Sequence, residues 1–282
     1  MTTSTVLVTG ATSGLGREVA RSLAEHGLKV LVHGRDTRRT EELVAELRAT
    51  GSAAQPYVAN LASLAEVRDL ADRISTDHPA LHVLINNAGI GAGPPPYTTR
   101  ELSEDGYELR FAVNYLAPVL LTRLLIPNLV ASTRARIVNV GSAGQAPVDF
   151  ADPQLERGYS GAEAYFRSKF ALAAFTFTLA DDLRATGITV NCVHPATFMD
   201  TACVREAGVV PRTTAAAGVP PVLNLAIERT GADNTGQYFE GTRRTKAHRS
   251  AYKDPVRTQL RTLTDRLLDS LVDGRPAGVT QL

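Results

Sequence analysis

Cysteine is almost missing from this sequence: Cys192 and Cys203 are the only two in 282 residues. They have no metal-ligand spacing, and the six histidines form no paired helical motif, so neither a disulfide framework nor a bound metal is expected. Tryptophan is absent altogether. Excess charge is missing as well. The formal net charge is +1 and the basic residues are scattered, which gives no reason to invoke a nucleic-acid partner. No run of eighteen apolar residues occurs, so no membrane span is expected, and the opening MTTSTVLVTG leads directly into an apolar strand rather than a signal peptide. A cytoplasmic location is the expectation from these absences.

What is present is a regular alternation. Strands near 5–9, 29–33, 53–58, 82–86, 136–140 and 188–193 alternate with helices near 14–26, 37–50, 63–77, 101–131 and 162–186. A seventh strand is predicted from Gly236 to Glu240. A last helix near 254–271 carries Leu260, Leu263, Leu267, Leu268 and Leu271 at helical spacing. The pattern predicts an α/β protein: a single doubly wound Rossmann-type domain over 1–282, with a parallel seven-stranded sheet and helices on both faces.

Three segments carry binding chemistry. TVLVTGATSGLGREVARSLAEHG reads as strand, glycine turn and helix. Gly10 suits a sharp exit from the strand, while Gly14 and Gly16 leave room for a diphosphate at the helix N-terminus. In LKVLVHGRDTRR the strand-end position that usually bears a ribose-binding carboxylate is Gly34, followed by Arg35 and then Arg38 and Arg39. A glycine before a guanidinium accommodates a 2′-phosphate, so the cofactor is read as NADP(H), with Asp36 as the residue that would favour NAD if the register were two residues longer. LHVLINNAGIG is a buried strand ending in Asn86, Asn87, Ala88 and Gly89, as suits a loop lying over a cofactor.

The chemistry itself is suggested by Tyr165 and Lys169, four residues apart in AYFRSKFALAAF and therefore on one helical face. A cation beside a phenol stabilises the phenolate, and a tyrosine so activated can act as an acid near neutrality. Asn114, inside the apolar FAVNYLAP, and Ser142, at the end of ARIVNVGSAG, complete the polar candidates.

Taken together, TGATSGLG, NNAG, DGYELRFAVNYLAPVLLTRLL, RIVNVGS, YFRSK and HP resemble the short-chain dehydrogenase/reductase family, particularly its extended-loop relatives of the retinol-dehydrogenase and WW-domain-oxidoreductase kind. The resemblance runs from Val6 to about Pro195. It implies a catalytic quartet of Asn114, Ser142, Tyr165 and Lys169. It also implies a cofactor site drawn from Gly10, Ser13, Gly14, Leu15, Gly16, Arg35, Asn60, Leu61, Asn87, Ala88, Gly89, Tyr165, Lys169 and Pro195. Ser142 would position the substrate oxygen, Tyr165 would protonate it, Lys169 would lower the phenol's pKa and grip the nicotinamide ribose, and Asn114 would hold a water connecting Lys169 to solvent. Homodimers through the helices bearing Asn114 and Tyr165 are a further implication.

Departures are local. Asn60-Leu61 stands where Asp-Leu is usual, Ala196 replaces the glycine after His194-Pro195, and Asp200 occupies the place of a carboxamide-binding threonine, with Thr201 one step later. The loops that would choose a substrate are 143–162, with Val148, Phe150, Leu155 and Tyr159 as an apolar wall, 196–223 as a mobile lid, and GAGPPPYTTRELSEDG as a third rim. These suggest a medium-sized lipophilic carbonyl compound or secondary alcohol, most readily ketone or aldehyde reduction. A non-redox dehydration, cyclisation or epimerisation, or a non-catalytic NADP-binding role, are the alternatives.

Overall fold

The computed structural model describes residues 4–272. Its strands are β1 (Thr5–Val8), β2 (Lys29–Gly34), β3 (Ala54–Val58), β4 (Val83–Asn86), β5 (Arg136–Val140), β6 (Thr189–His194), β7 (Gln237–Glu240) and β8 (Arg243–Thr245). They form one sheet in the order β3-β2-β1-β4-β5-β6-β7-β8. The first seven run parallel as expected. The sequence reading missed β8, a three-residue strand that turns back antiparallel on β7 and makes the sheet eight-stranded. RRT is short and two of its three residues are charged, with no alternation long enough to announce a strand.

Helices α1 (Gly14–Glu25), α2 (Thr37–Ala49) and α3 (Leu64–Asp77) fall where the periodicity put them. In α1 the buried residues include Val19, Ala20, Leu23 and Ala24, the stripe that faces Val6 and Val8 of β1. Leu7 points to the opposite face of the sheet, into a second cluster with α3, α5 (Ala117–Val130) and α6 (Gly161–Asp182). Burial on both faces explains why β1 reads as an unbroken apolar run.

The helix expected near 101–131 begins later. Residues Ser103 to Tyr107 form a turn, with the Ser103 N–H donating to the Tyr107 carbonyl at 2.7 Å, and Leu102 bridges Glu108. A short α4 (Leu109–Phe111) then runs through a π-helical stretch, Ala112–Leu116, into α5. The whole span Leu109–Val130 is long and apolar enough to cross a membrane, with mean hydropathy 1.4, yet its most apolar window is 83% buried within the fold, as a core helix would be.

The last elements are α7 (Ala202–Glu206), α8 (Val219–Ala226), α9 (Arg229–Asp233) and α10 (Asp254–Val272). Leu260, Leu263 and Leu268 are buried and Leu267 partly so; the side chain of Leu271 lies outside the described residues. α10 crosses α5 and α6 through Tyr115–Thr264 at 2.5 Å, Arg123–Asp265 at 2.7 Å and Arg257–Asp181 at 2.7 Å. The chain therefore covers with its own C-terminal helix part of the helical face that the resemblance offered to a dimer partner.

Candidate active site

β1 and β4 are neighbours in the sheet although β2 and β3 lie to one side and β5 onward to the other, so the loops leaving β1 and β4 meet at a topological switch point. Thr9 ties them together. Its hydroxyl donates to the Ile85 carbonyl at 3.3 Å and accepts from the Asn87 and Ala88 N–H groups, each at 3.0 Å. The Asn87 amide returns to the Thr9 carbonyl at 2.8 Å and the Gly10 carbonyl at 3.2 Å. Gly10 has φ +64°, and a β-carbon there would stand 2.8 Å from the Ala88 α-carbon. At Gly16 it would run into the Gly10 carbonyl and the Asn87 amide. The glycine loop thus rests directly on the NNAG loop.

His33, unnoticed in the sequence, fixes the same loop. Its Nδ1 accepts from the Gly10 N–H at 3.1 Å, which leaves Nε2 to donate to the Ala59 carbonyl at 3.2 Å. Burial holds its pKa down to about 4, so the ring stays neutral and can keep accepting. Only an apolar flank, VLVHG, surrounded it in sequence.

Several features fit a dinucleotide. Ser13 caps α1 without using its hydroxyl, and no acidic residue occupies the first turn, so the helix N-terminus is open to phosphate. Leu15 is buried beneath Gly218. A β-carbon on Gly34 would strike Thr12 and lie 2.6 Å from the Thr40 hydroxyl, which explains why the strand ends in glycine. Arg35 follows on the exposed surface. Asp36 is the N-cap of α2 and accepts from the Arg39 N–H at 2.9 Å; it is a capping residue, and the register that made it a ribose ligand is wrong. Asn60 differs from expectation, because its amide is already occupied: it accepts from the Ala62 N–H at 3.0 Å and donates to Glu104 at 2.9 Å. Leu61 is buried in the core.

The quartet converges. Gly89 separates Asn114 from Lys169: a β-carbon there would be 3.1 Å from Asn114 Oδ1 and 3.4 Å from Lys169 Nζ. Burial raises the Tyr165 pKa, and the neighbouring Ser142 side chain works against that rise without overcoming it. One expectation, the lowering of the phenol's pKa by Lys169, is not met here. Lys169 Nζ donates to the Val140 carbonyl at 2.9 Å and lies 6.0 Å from the centre of the Tyr165 ring. Burial raises the Tyr165 pKa and lowers that of Lys169, so in this state desolvation outweighs any help the ammonium gives the phenol. Asn114 spends both amide hydrogens, on the Ile90 carbonyl and the Ser168 hydroxyl at 3.0 Å each, and its oxygen accepts from the Ile90 N–H at 2.8 Å. Its side chain pins the loop after β4. Tyr238 was also missed; its hydroxyl donates to the Ser142 carbonyl at 2.8 Å and steadies the strand end.

On the substrate side, Asp200 turns outward into a forked pair with Arg205, at 2.6 and 2.8 Å. Thr201 turns inward, its methyl 3.1 Å from where a Gly14 β-carbon would be. The one-residue displacement therefore still places a threonine over the glycine loop. Cys203 follows it, with its thiol donating to the Gly89 carbonyl at 3.4 Å, and burial raises its pKa. Cys192 and Cys203 are both free thiols. Pro195 is buried at the root of this segment. The C-terminal part of the expected lid is not lid: Pro221, Val222, Leu223 and Leu225 of α8 are buried. Val148 and Leu155 of the 143–162 loop are likewise buried and anchor the loop.

The sequence model of the short chain dehydrogenase family matches residues 4–208. This chain belongs to that family. Among curated relatives, human retinol dehydrogenase 13 is 32% identical over 94% of this chain and 84% of its own length. Among solved structures, an uncharacterised protein from Mycobacterium paratuberculosis superimposes with a TM-score of 0.78 at 30% identity, covering 94% of this chain and 93% of that one. A metagenomic blue fluorescent protein solved in complex with NADPH gives a TM-score of 0.67 at 29% identity, covering 84% and 95%.

Proposed function

We propose that this protein is an NADP(H)-dependent oxidoreductase that reduces the carbonyl group of a medium-sized lipophilic ketone or aldehyde, with oxidation of the corresponding alcohol as the reverse reaction. The observation that carries this reading is the gathering of Tyr165, Lys169 and Asn114 around Gly89, at the loop that rests on the glycine cradle. The NADPH complex of a structural neighbour supports the cofactor, and the name of retinol dehydrogenase 13 supports an alcohol–carbonyl oxidoreduction.

NADPH, when bound, supplies the hydride equivalent that reduces the carbonyl carbon. The chain's residues prepare and finish that event. The Gly10–Gly16 turn, Ser13 and the α1 N-terminus would hold the diphosphate, with Arg35 at the 2′-phosphate and Asn87, Ala88 and Gly89 behind the nicotinamide. Ser142 donates a hydrogen bond to the substrate oxygen, and Tyr165 delivers a proton to the same atom as negative charge develops there. Lys169, which donates to the Val140 carbonyl, would hold the ribose hydroxyls. Burial keeps the phenol protonated through neutrality, which suits the acid needed for reduction better than the base needed for oxidation.

Thr201 facing Gly14 with its methyl favours the redox reading over a non-redox reaction, since the altered segment keeps a threonine beside the glycine loop. A panel of lipophilic ketones and aldehydes assayed by NADPH oxidation tests the proposal. Tyr165→Phe should lower kcat about 10³-fold with NADPH affinity retained. Product formed without NADPH oxidation, or full turnover by the phenylalanine variant, would refute it. Alcohol oxidation should climb with pH toward the raised phenol pKa, whereas reduction stays level through neutrality.

A further inference from the structure

We propose that Arg110, Glu108 and Tyr159 act as a positioning lock that sets substrate selectivity by fixing the 143–160 segment against the 91–101 rim. The selectivity part rests on the reductase reading above.

Glu108 and Arg110 are only 1% and 3% exposed. A buried ion pair of this kind loses more in desolvation than its attraction returns, unless further hydrogen bonds satisfy both groups. Here the direct contact is long, 3.6 Å, and a tyrosine hydroxyl bridges the two. Tyr159 accepts from Arg110 Nη1 at 3.0 Å and donates to Glu108 Oε1 at 2.9 Å. Glu108 Oε2 accepts from the Phe111 N–H at 2.7 Å, and Arg110 Nε donates to the Gly91 carbonyl at 3.1 Å. Arg110 Nη2 reaches Glu101 at 3.2 Å. A β-carbon on Gly93 would lie 2.6 Å from the same Nη2, so the rim's backbone is pressed onto the guanidinium.

The arms of this network end on different walls of the substrate side. Gly91 and Glu101 belong to the rim that follows β4. Tyr159 lies two residues before α6, the helix that carries Tyr165 and Lys169. A third tie comes from Gln154 in the middle of the long segment, whose side-chain oxygen accepts from the Glu108 N–H at 2.8 Å. Arg110 itself stands one helical turn before Asn114, so the same stretch of chain holds the loop behind the nicotinamide and the loops around the substrate. A satisfied polar network in a dry interior fixes one arrangement sharply, and loss of one member releases it. None of these three residues touches the reacting atoms, so their influence passes through the walls they hold.

Tyr159→Phe keeps the ring and removes the bridge; Arg110→Lys keeps the charge and removes the fork. Amide hydrogen exchange of the cofactor-free protein reads the lock directly, and kinetics on compact and bulky ketones read its consequence. In Tyr159→Phe, amides of 143–160 should exchange about tenfold faster, and KM for bulky ketones should rise about tenfold while kcat changes less than about twofold and NADPH affinity stays constant. Arg110→Lys should move both readouts in the same direction. Unchanged exchange in Tyr159→Phe, or faster exchange with an unchanged KM profile across the panel, would overturn the proposal. A wild-type protein with no NADPH-dependent turnover would defeat the reductase reading and the selectivity claim with it, while the exchange measurement would still decide whether the lock exists.

Discussion

The nucleotide half of the cleft and its substrate half reach left-handed backbone in different ways. From β1 to β3 every positive φ belongs to glycine, at Gly10, Gly14, Gly27 and Gly51. Around the substrate, glycines are joined by Tyr97 at φ 66°, Leu155 at 49° and Phe198 at 49°. Among the described residues, Arg134 is the one other non-glycine with this geometry. A side chain in this region costs about 1–2 kcal/mol, and it survives only where neighbours over-determine it. The neighbours are identifiable. The Tyr97 hydroxyl donates to the Ala207 carbonyl at 2.7 Å, Leu155 is buried, and the Phe198 carbonyl accepts from the Arg212 N–H at 2.8 Å while the Arg212 guanidinium lies 5.2 Å over its ring. One half takes its tight turns with glycine; the other takes them with side chains that anchor the surrounding loops.

The sharpest way to break this contrast is to put a side chain where the nucleotide half has none. Gly16→Ala forces a β-carbon into backbone atoms, so urea unfolding should show a loss of about 3 kcal/mol and NADPH titration a collapse of affinity. Wild-type stability and affinity in that variant would mean the loop is not the rigid cradle described.

His33 offers a second test of the same rigidity, through pH. Its folded pKa, about 4, lies below the ordinary 6.5, so the unfolded chain binds more protons in between. Stability is complete above pH 6.5 and falls as pH drops toward 4, by about 3 kcal/mol over the window. Replacing His33 with Asn should flatten that part of the stability curve; an equally steep curve in the variant would assign the slope to other groups.

Arg35→Ala sharpens the comparison at the cofactor's outer end, where the side chain is exposed. NADPH dissociation constants should rise about tenfold or more with NADH nearly unaffected, read by fluorescence titration. Equal losses for both cofactors would mean that Arg35 does not hold a 2′-phosphate.

The smallest effect belongs to the substrate half. Phe198→Gly relieves about 1 kcal/mol of backbone strain but adds the entropy of glycine and loses the ring under Arg212, so the melting temperature should move by less than about 2 °C. A large drop would show that the phenylalanine ring, and not the backbone, organises that rim.

Much of the architecture was legible because it depends on patterns that repeat. Val19, Ala20, Leu23 and Ala24 declare their helix by spacing, and Gly10, Gly14 and Gly16 declare their turn by composition. Tyr165 and Lys169 were found because one helical face carries both. What they do to each other was misjudged, since spacing brings two groups to one side of a helix without stating how dry that side is. His33, Thr9, Glu108 and Arg110 went unread for a related reason. Each acts across a gap of sequence, His33 on Gly10 and Arg110 on Gly91 and Tyr159, and nothing in a local window distinguishes such a residue from a filler. Asn60 and Asp36 show the converse, polar residues whose capacity was already taken by neighbours.

The linear chain by itself determined the alternation of the first seven strands with their helices, the place of the glycine turn and the candidates for the reacting hydroxyls, because periodicity and local turn chemistry act over a few residues. Tertiary structure alone decided which hydroxyl is dry, which amide is free and which loop is locked, because desolvation and hydrogen-bond satisfaction depend on every atom within a few ångströms, whatever its distance along the chain.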